Sequence, residues 1–591
     1  MTDSTRTLGP ALMAVIANRM DAILREMTNT LLRAGRSAVL STARDFSCSL
    51  VTADNRLLAT AEGLPVHIFG SHLQTQTMSE LHDDIAPGDA FLHNDPYSGN
   101  THNADHTILV PVFAAGKHMF TTVAKAHQAD IGNSFPTTYM AMAKDVYEEG
   151  ALIFPATRIQ RNYHDVGDII RMCRMRIRVP DQWYGDYLAC IGAARIGERR
   201  MIQLVEKYGA DLIEEFVEEW FDYSERRVDH ALRGMESGRY EATSAHDALP
   251  GLSDEEIPIK VSADVDAENG RVEIDLRDNP DCLDAGINLS RATSVNSAAT
   301  GLFNVLEPDL PHNHGTFRRI TVHIRENCVA GYPVHPRCCS MSTTNVADRV
   351  VNATQSALSG VARVGLAEGG ASMGAGTAVV AGADARSHGA PFVNQIVVGV
   401  NGGPASANCD GWLTYMLPVT GGLILRDSIE LDEQKYPISF ESLELIPDSG
   451  GAGQFRGGPS ARVSYGPRFG PMSVAVMADS AKNPAKGAAG GLPGRASSVA
   501  LLDNATGEQT PLPGFGQFQV EPGTNLIGTD AGGGGFGDPA RRDPGAVLED
   551  VLEGLVSREQ ATEVYRVAFL DVPGAEIEVD EAATARLRTS G

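Results

Sequence analysis

The chain has 591 residues, with 75 acidic against 49 basic and a formal net charge of −26. That length calls for several domains around a large core, and a balance of 42% hydrophobic and 21% charged residues excludes extensive disorder. The negative balance excludes a nucleic-acid surface, since the densest basic stretch, Arg171–Arg178, reads as an ion-paired, solvated face.

No run approaches the ~20 apolar residues of a membrane span, and the start, MTDSTRTLGP, lacks the basic-then-apolar pattern of a signal peptide. The eight cysteines are scattered, with Cys338 and Cys339 the one adjacent pair and no C-x-x-C. This spacing fits a reduced, cytoplasmic protein rather than a disulfide framework or a cysteine zinc site.

In chain order, Leu12, Val15, Ile16, Met20, Ile23, Met27 and Leu31 recur at three- and four-residue steps and predict one face of a helix over 12–32. A hairpin over Phe46–Leu58 turns at Ala53-Asp54-Asn55. Ile108–Phe113 and Met119–Ala124 predict buried strands joined at Ala115-Gly116-Lys117, so the polar segments His93–Asp105 and His127–Asn133 abut strand ends. Residues 184–242 read as helical, with Leu212, Ile213, Phe216, Val217, Trp220 and Phe221 as a packing stripe. The chain turns at Ala248–Ser253. Ile257–Val265 and Arg271–Leu276 then flank a turn at Glu268-Asn269-Gly270. Residues 390–530 read as mostly β with long loops, and Pro544–Val567 as helical. The expected fold is α+β and multidomain. It divides into 1–250, a metal-binding region with a helical segment; 251–390, a middle α/β domain; 391–540, a β-rich domain; and 541–591, a helical tail.

The densest polar constellation is His93-Asn94-Asp95-Pro96-Tyr97, then Thr101-His102-Asn103-Ala104-Asp105, then His127-Gln128-Ala129-Asp130. Two His-x-x-Asp pairs bracket the predicted strand pair, and a tight hairpin would bring its outer ends together. Imidazole nitrogen with carboxylate oxygen suits divalent Zn, Mn or Fe. By itself each pair also reads as a hydrogen-bonded turn. His67, His72 and His106 read as structural, and Asn94-Asp95-Pro96 as a turn whose Asp95 can brace a ligand. Glycine clusters at Gly450–Gly458, Gly487–Gly494 and Gly532–Gly537 read as tight turns needing positive φ. None is a Walker loop, and no dinucleotide fingerprint, G-x-S-x-G or H-E-x-x-H occurs.

HNDPYSGNTHNADHTILVPVF, followed by AHQADIG at Ala126–Gly132, resembles the signature of the hydantoinase B/oxoprolinase family, which includes subunits of acetone and acetophenone carboxylases. Arg44-Asp45-Phe46-Ser47-Cys48, Tyr147–Gly150, Arg195–Arg200, Pro447–Gly453, Arg456-Gly457-Gly458 and Gly532–Pro539 are similar to further blocks in the same order. Asn100, Asn103 and Gln128 depart from the family pattern, and residues 395–436 depart from the commonest hydantoinase sequence.

The resemblance implies one divalent metal held by Asp45, His102, Asp105 and His127, with Asp95 and Asp130 behind them. It also implies a hydantoinase A-like partner that uses ATP to phosphorylate the substrate's carbonyl oxygen. The expected activity is that of the metal-binding subunit of an ATP-dependent cyclic-amide hydrolase, in a hetero-oligomer. Carboxylation of a ketone and a non-catalytic scaffold are the alternatives.

Overall fold

The computed structural model describes residues 8–61, 63–570 and 577–589. The first seven residues, on which the reading of the N-terminus partly rests, lie outside them. Among the described residues no helix is long and apolar enough to cross a membrane.

The first helix runs Pro10–Ala34. Pro10 is tolerated at its first turn, where its missing N–H has no helical partner in any case. Ile16, Met20, Ile23, Leu24, Met27 and Leu31 are buried. Val15 does not join them, being 45% exposed, because it lies at the edge of the stripe.

This helix covers a seven-stranded sheet of order β2-β1-β5-β4-β3-β6-β7. Its strands are β1 (Phe46–Thr52), β2 (Leu57–Thr60), β3 (Ala90–His93), β4 (Asp105–Ala114), β5 (Lys117–His127), β6 (Thr157–Arg161) and β7 (His164–Asp165). Alternation gives the sheet two apolar faces. Leu50, Ile108, Val110 and Ala124 pack under the helices Pro10–Ala34, Pro180–Tyr208 and Ala210–Arg233. Val51, Phe91, Leu109 and Val123 pack against Ile68, Phe69 and Met78 from the short helices Pro65–Ile68 and Ser71–Leu81. Of the stripe on Ala210–Arg233, Leu212, Ile213, Phe216, Val217 and Phe221 are buried, while Trp220 is half-buried at the rim of the core.

The helical segment stops earlier than its sequence suggests. Gly234 ends it, and β8 (Gly238–His246) follows as a strand. With β9 (Ile257–Asp266), β10 (Arg271–Asp275) and β11 (Ile320–His323), β8 forms a second sheet of order β11-β10-β9-β8. The Ala248–Ser253 turn therefore sits between two neighbouring strands. The Val346–Leu358 helix packs on β8 and β9, and the loop leading into it carries Cys338–Asn345.

The C-terminal half is built on a four-stranded and a five-stranded sheet, with the helices Pro544–Leu552 and Arg558–Glu563 following. The three glycine clusters do not behave as the sequence suggests. Within them, Gly490 and Gly537 adopt positive φ, as does Ala489, and the other glycines do not. They pack backbone against backbone instead: Gly451 N–H donates to Gly533 O at 2.8 Å, and Gly535 N–H to Leu492 O at 3.0 Å. A methyl group on Gly457 would fall 2.0 Å from Gly533 O, so glycine is required by close approach rather than by turn geometry.

Candidate metal centre

The strands β4 and β5 run further than their apolar cores predict. Both reach into the polar segments, and their terminal residues Asp105 and His127 are paired in register. Asp105 Oδ1 lies 3.0 Å from His102 Nε2 and 3.2 Å from His127 Nδ1. Ligand atoms of His102, Asp105 and His127 all fall within 4.8 Å of one another, and all three residues are buried.

Each imidazole is held from behind. His102 Nδ1 donates to the Ser340 carbonyl at 2.7 Å, which turns Nε2 toward Asp105. His127 Nε2 is engaged by the Thr138 hydroxyl at 3.1 Å, which leaves Nδ1 facing inward. Tyr139 stacks on His127 with ring centroids 5.1 Å apart, and the His102 ring lies 5.7 Å from Tyr139.

Asp45 and His67 complete the polar cluster. Asp45 precedes β1 and follows Arg44, whose φ of 60° is left-handed. Its carbonyl accepts from His127 N–H at 3.1 Å, fixing it at the end of β5. The Asp45 carboxylate does not belong to the compact trio. It faces His67, whose Nε2 lies 3.6 Å from Asp45 Oδ1 and 3.2 Å from Asp105 Oδ2. From sequence alone His67 reads as structural, whereas the fold sets it between two buried carboxylates. Its placement among Pro65, Val66, Ile68 and Phe69 was the available signal, since a histidine forced into the core needs a polar partner.

The electrostatics follow from burial and pairing. Burial pushes the Asp45 carboxyl up, against the pull of His127 and His67. Burial also pushes Asp105 up, but His102 and His67 outweigh it and hold Asp105 well below the carboxylate range. For His102, burial pulls down and the Asp105 carboxylate more than reverses it. Lys125, two residues before His127 and fully buried, is pushed down to about 8 by burial, with Asp105 opposing.

The remaining sequence candidates lie further out. Asp95 accepts from Tyr97 N–H at 3.0 Å and from the Ser98 hydroxyl, so it caps the turn Pro96–Ser98. Asp130 accepts from Gly132 N–H at 3.0 Å and from Arg178 N–H at 2.6 Å, which pins the loop after β5. Both brace the loops rather than the imidazoles. His106 faces the opposite side of the sheet, where Trp183 Nε1–H donates to it at 3.3 Å, and burial lowers it to about 3.

A family model described as hydantoinase B/oxoprolinase matches residues 9–539. The chain belongs to the hydantoinase B/oxoprolinase family. It is 31% identical over 594 residues to caprolactamase subunit beta of Pseudomonas jessenii, covering 98% of each chain. To the acetophenone carboxylase delta subunit of Aromatoleum aromaticum it is 25% identical, over 100% of this chain and 90% of that one. The crystal structure of ATP-dependent caprolactamase from Pseudomonas jessenii is similar at a TM-score of 0.88 and 27% identity, covering 99% of this chain and 100% of that one.

Two hydantoinase B-type sequence blocks have clear structural work here. In Tyr147–Gly150, Glu149 is buried and its Oε2 accepts from Asn103 Nδ2 at 2.7 Å, which fixes the residue between His102 and Ala104. Burial pushes the Glu149 carboxyl up, with Ser340 and Cys338 pulling the other way. In Arg195–Arg200, a methyl on Gly197 would meet Met27 Sδ at 2.5 Å and Thr122 Cγ2 at 2.9 Å, so glycine lets the Pro180–Tyr208 helix lie against both the first helix and β5.

Proposed function

We propose that this chain is the metal-binding catalytic subunit of an ATP-dependent cyclic-amide hydrolase. A hydantoinase A-like partner would use ATP to phosphorylate the carbonyl oxygen of the substrate, and this subunit would act on the activated ring. The observation that carries the reading is the buried His102, Asp105 and His127 trio, with each imidazole held from behind so that one nitrogen faces Asp105.

The donor set fits one divalent ion of the Zn, Mn or Fe kind. Asp45 Oδ1 is buried without a hydrogen-bond partner, as expected of an oxygen reserved for a cation. Asp45, His102, Asp105 and His127 would hold the ion, and His67 would keep the two carboxylates in place. Such an ion supplies Lewis acidity toward an oxygen and a lowered pKa for water. The chain's own residues fix the ring planes, exclude bulk water and hold the charge balance of the pocket.

Phosphorylation of a lactam oxygen makes the ring carbon electrophilic; water adds there and the carbon–nitrogen bond breaks to give an amine and an acyl phosphate, which a second water hydrolyses to carboxylate and phosphate. The full-length similarity to a caprolactamase subunit supports this chemistry. The similarity to an acetophenone carboxylase subunit supports a second reading, carboxylation of a ketone through its enol phosphate. The buried trio argues against a merely scaffolding role. Free cysteines, seven of them buried, support a cytoplasmic location.

The test is an assay of the complex with its ATP-binding partner, given ATP and either a lactam or a ketone, with and without bicarbonate. Ring-opened product independent of bicarbonate supports hydrolysis; bicarbonate-dependent carboxylate product overturns it in favour of the carboxylase.

A further inference from the structure

We propose that the cleft beside Tyr139 seats the non-reacting part of the substrate, and that it selects uncharged, apolar lactams over lactams that carry a carboxylate. The inference rests on the cyclic-amide reading above and narrows its substrate class.

The cleft has a volume of about 380 Å³, within the ~300–1,000 Å³ of small-molecule sites. One wall is the segment that follows His127, with Phe135, Tyr139, Met140 and Met142; the other is a pair of strands contributing Met477 and Gln517. Those two strands are paired in register, Met477 with Phe515 and Ala475 with Gln517, so this wall is rigid. Phe135, at 52% exposure, and Met142, at 41%, form the open rim, while Met477 and Tyr139 close the floor.

The cleft and the metal centre share one segment of backbone. Thr138 holds His127 Nε2, Tyr139 stacks on His127, and Met140 N–H donates to Ser340 Oγ at 3.0 Å. Ser340 is also the residue whose carbonyl orients His102. A ligand against Tyr139 therefore touches the residue whose ring stacks on His127 and lies beside His102.

The chemistry of the lining sets the selectivity. Methionine side chains and aromatic faces adapt to irregular apolar rings. Glu148 is the charged residue of the described lining, and its carboxylate is already paired with Lys144 at 2.7 Å. Paired in this way, the two side chains bring no net charge to the mouth, and a substrate carboxylate would leave water for an apolar lining with no unpaired cation to meet it. A neutral lactam meets no such penalty, and the amide of Gln517 supplies one polar contact.

The experiment is ligand-observed saturation-transfer NMR on the purified, zinc-loaded chain, with ε-caprolactam and pyroglutamate as probes. Met142→Lys and Gln517→Lys place a cation at exposed positions of the cleft, where the fold tolerates it. The expected result is strong transfer to ε-caprolactam, at least tenfold weaker transfer to pyroglutamate, and a narrowing of that gap in either lysine variant. Equal transfer to both lactams in the wild type, or an unchanged gap in both variants, overturns the proposal. Zinc measured on the same samples separates it from the reading beneath it. Zinc retained without lactam transfer overturns the cleft alone. Selective lactam transfer in a chain that binds no zinc supports the cleft and sinks the metal centre.

Discussion

Asp105 and His127 are direct cross-strand partners, with the carboxylate of one 3.2 Å from Nδ1 of the other. The β4–β5 hairpin thus fixes their separation by backbone hydrogen bonds, before any ion is present. A site built on paired strand ends loses little entropy when it is occupied, because the sheet has already ordered its ligands.

That geometry gives the first prediction. His127→Ala should lower metal affinity by at least the ~10–100-fold seen when even outer supports of a ligand are removed. The fold should survive, because the β5 backbone pairing does not involve the imidazole. Bound metal by elemental analysis and melting temperature are to be measured on one preparation. Gln128→Ala is the control: its side-chain amide donates to Ala126 O at 3.2 Å and does not touch the cluster. Metal retained in His127→Ala, or lost equally in the control, would remove His127 from the site.

The second prediction concerns His67. Its Nε2 sits between Asp45 and Asp105, so His67→Ala leaves two buried carboxylates facing each other without the imidazole between them. Like charges in such a site raise each other's pKa. Metal binding should therefore weaken by ~10–100-fold, and the loss should be steeper at pH 6 than at pH 8, where the carboxylates are again ionised. Titrating zinc against the variant at both pH values checks this. An affinity loss that is the same at both pH values would mean that His67 acts without controlling the carboxylates.

The trio was legible in the sequence because its members flank one local hairpin, whose apolar runs at Ile108–Phe113 and Met119–Ala124 are unmistakable. Its supports were not legible in the same way. Ser340 lies 238 residues from His102 in sequence, and it arrives on the loop that leads to the Val346–Leu358 helix, packed on a different sheet. No spacing rule joins such positions. The glycine clusters were misread for a related reason: a tight turn is a local property, whereas contact between distant backbones is a tertiary one. His67 was hidden because a buried histidine in an apolar turn reads the same whether its partner is structural or functional.

Glu149 gives the third prediction. Its carboxylate accepts from Asn103 and so steadies the loop that carries His102 and Asp105. Glu149→Ala leaves the Asn103 amide without that partner, which costs about 1–3 kcal/mol of stability. It should also weaken metal binding. Glu149→Gln can restore the hydrogen bond through its amide oxygen and should recover most of both losses. Chemical denaturation and zinc titration on the two variants decide this, and equal damage in both would show that charge, rather than the hydrogen bond, is what the loop needs.

The last prediction is a pH dependence set by a residue outside the metal centre. Asp530 is buried, and burial pushes its carboxyl up to about 7, against the pull of the Val400 N–H. An unfolded Asp titrates near 3.9. Because the folded pKa is raised, the folded state binds more protons than the unfolded state between those values. The contribution is therefore fully favourable below about pH 4. It is lost progressively as pH rises toward about 7, and the whole change is on the order of 4 kcal/mol. Asp530→Asn removes the titration while keeping the size of the side chain. The variant should lose less stability than the wild type between pH 5 and pH 8, by a measurable part of that total. Denaturant midpoints at four pH values across this window test it. Parallel curves for the two proteins would show that Asp530 stays ionised in the folded chain, with a partner that its surroundings do not reveal.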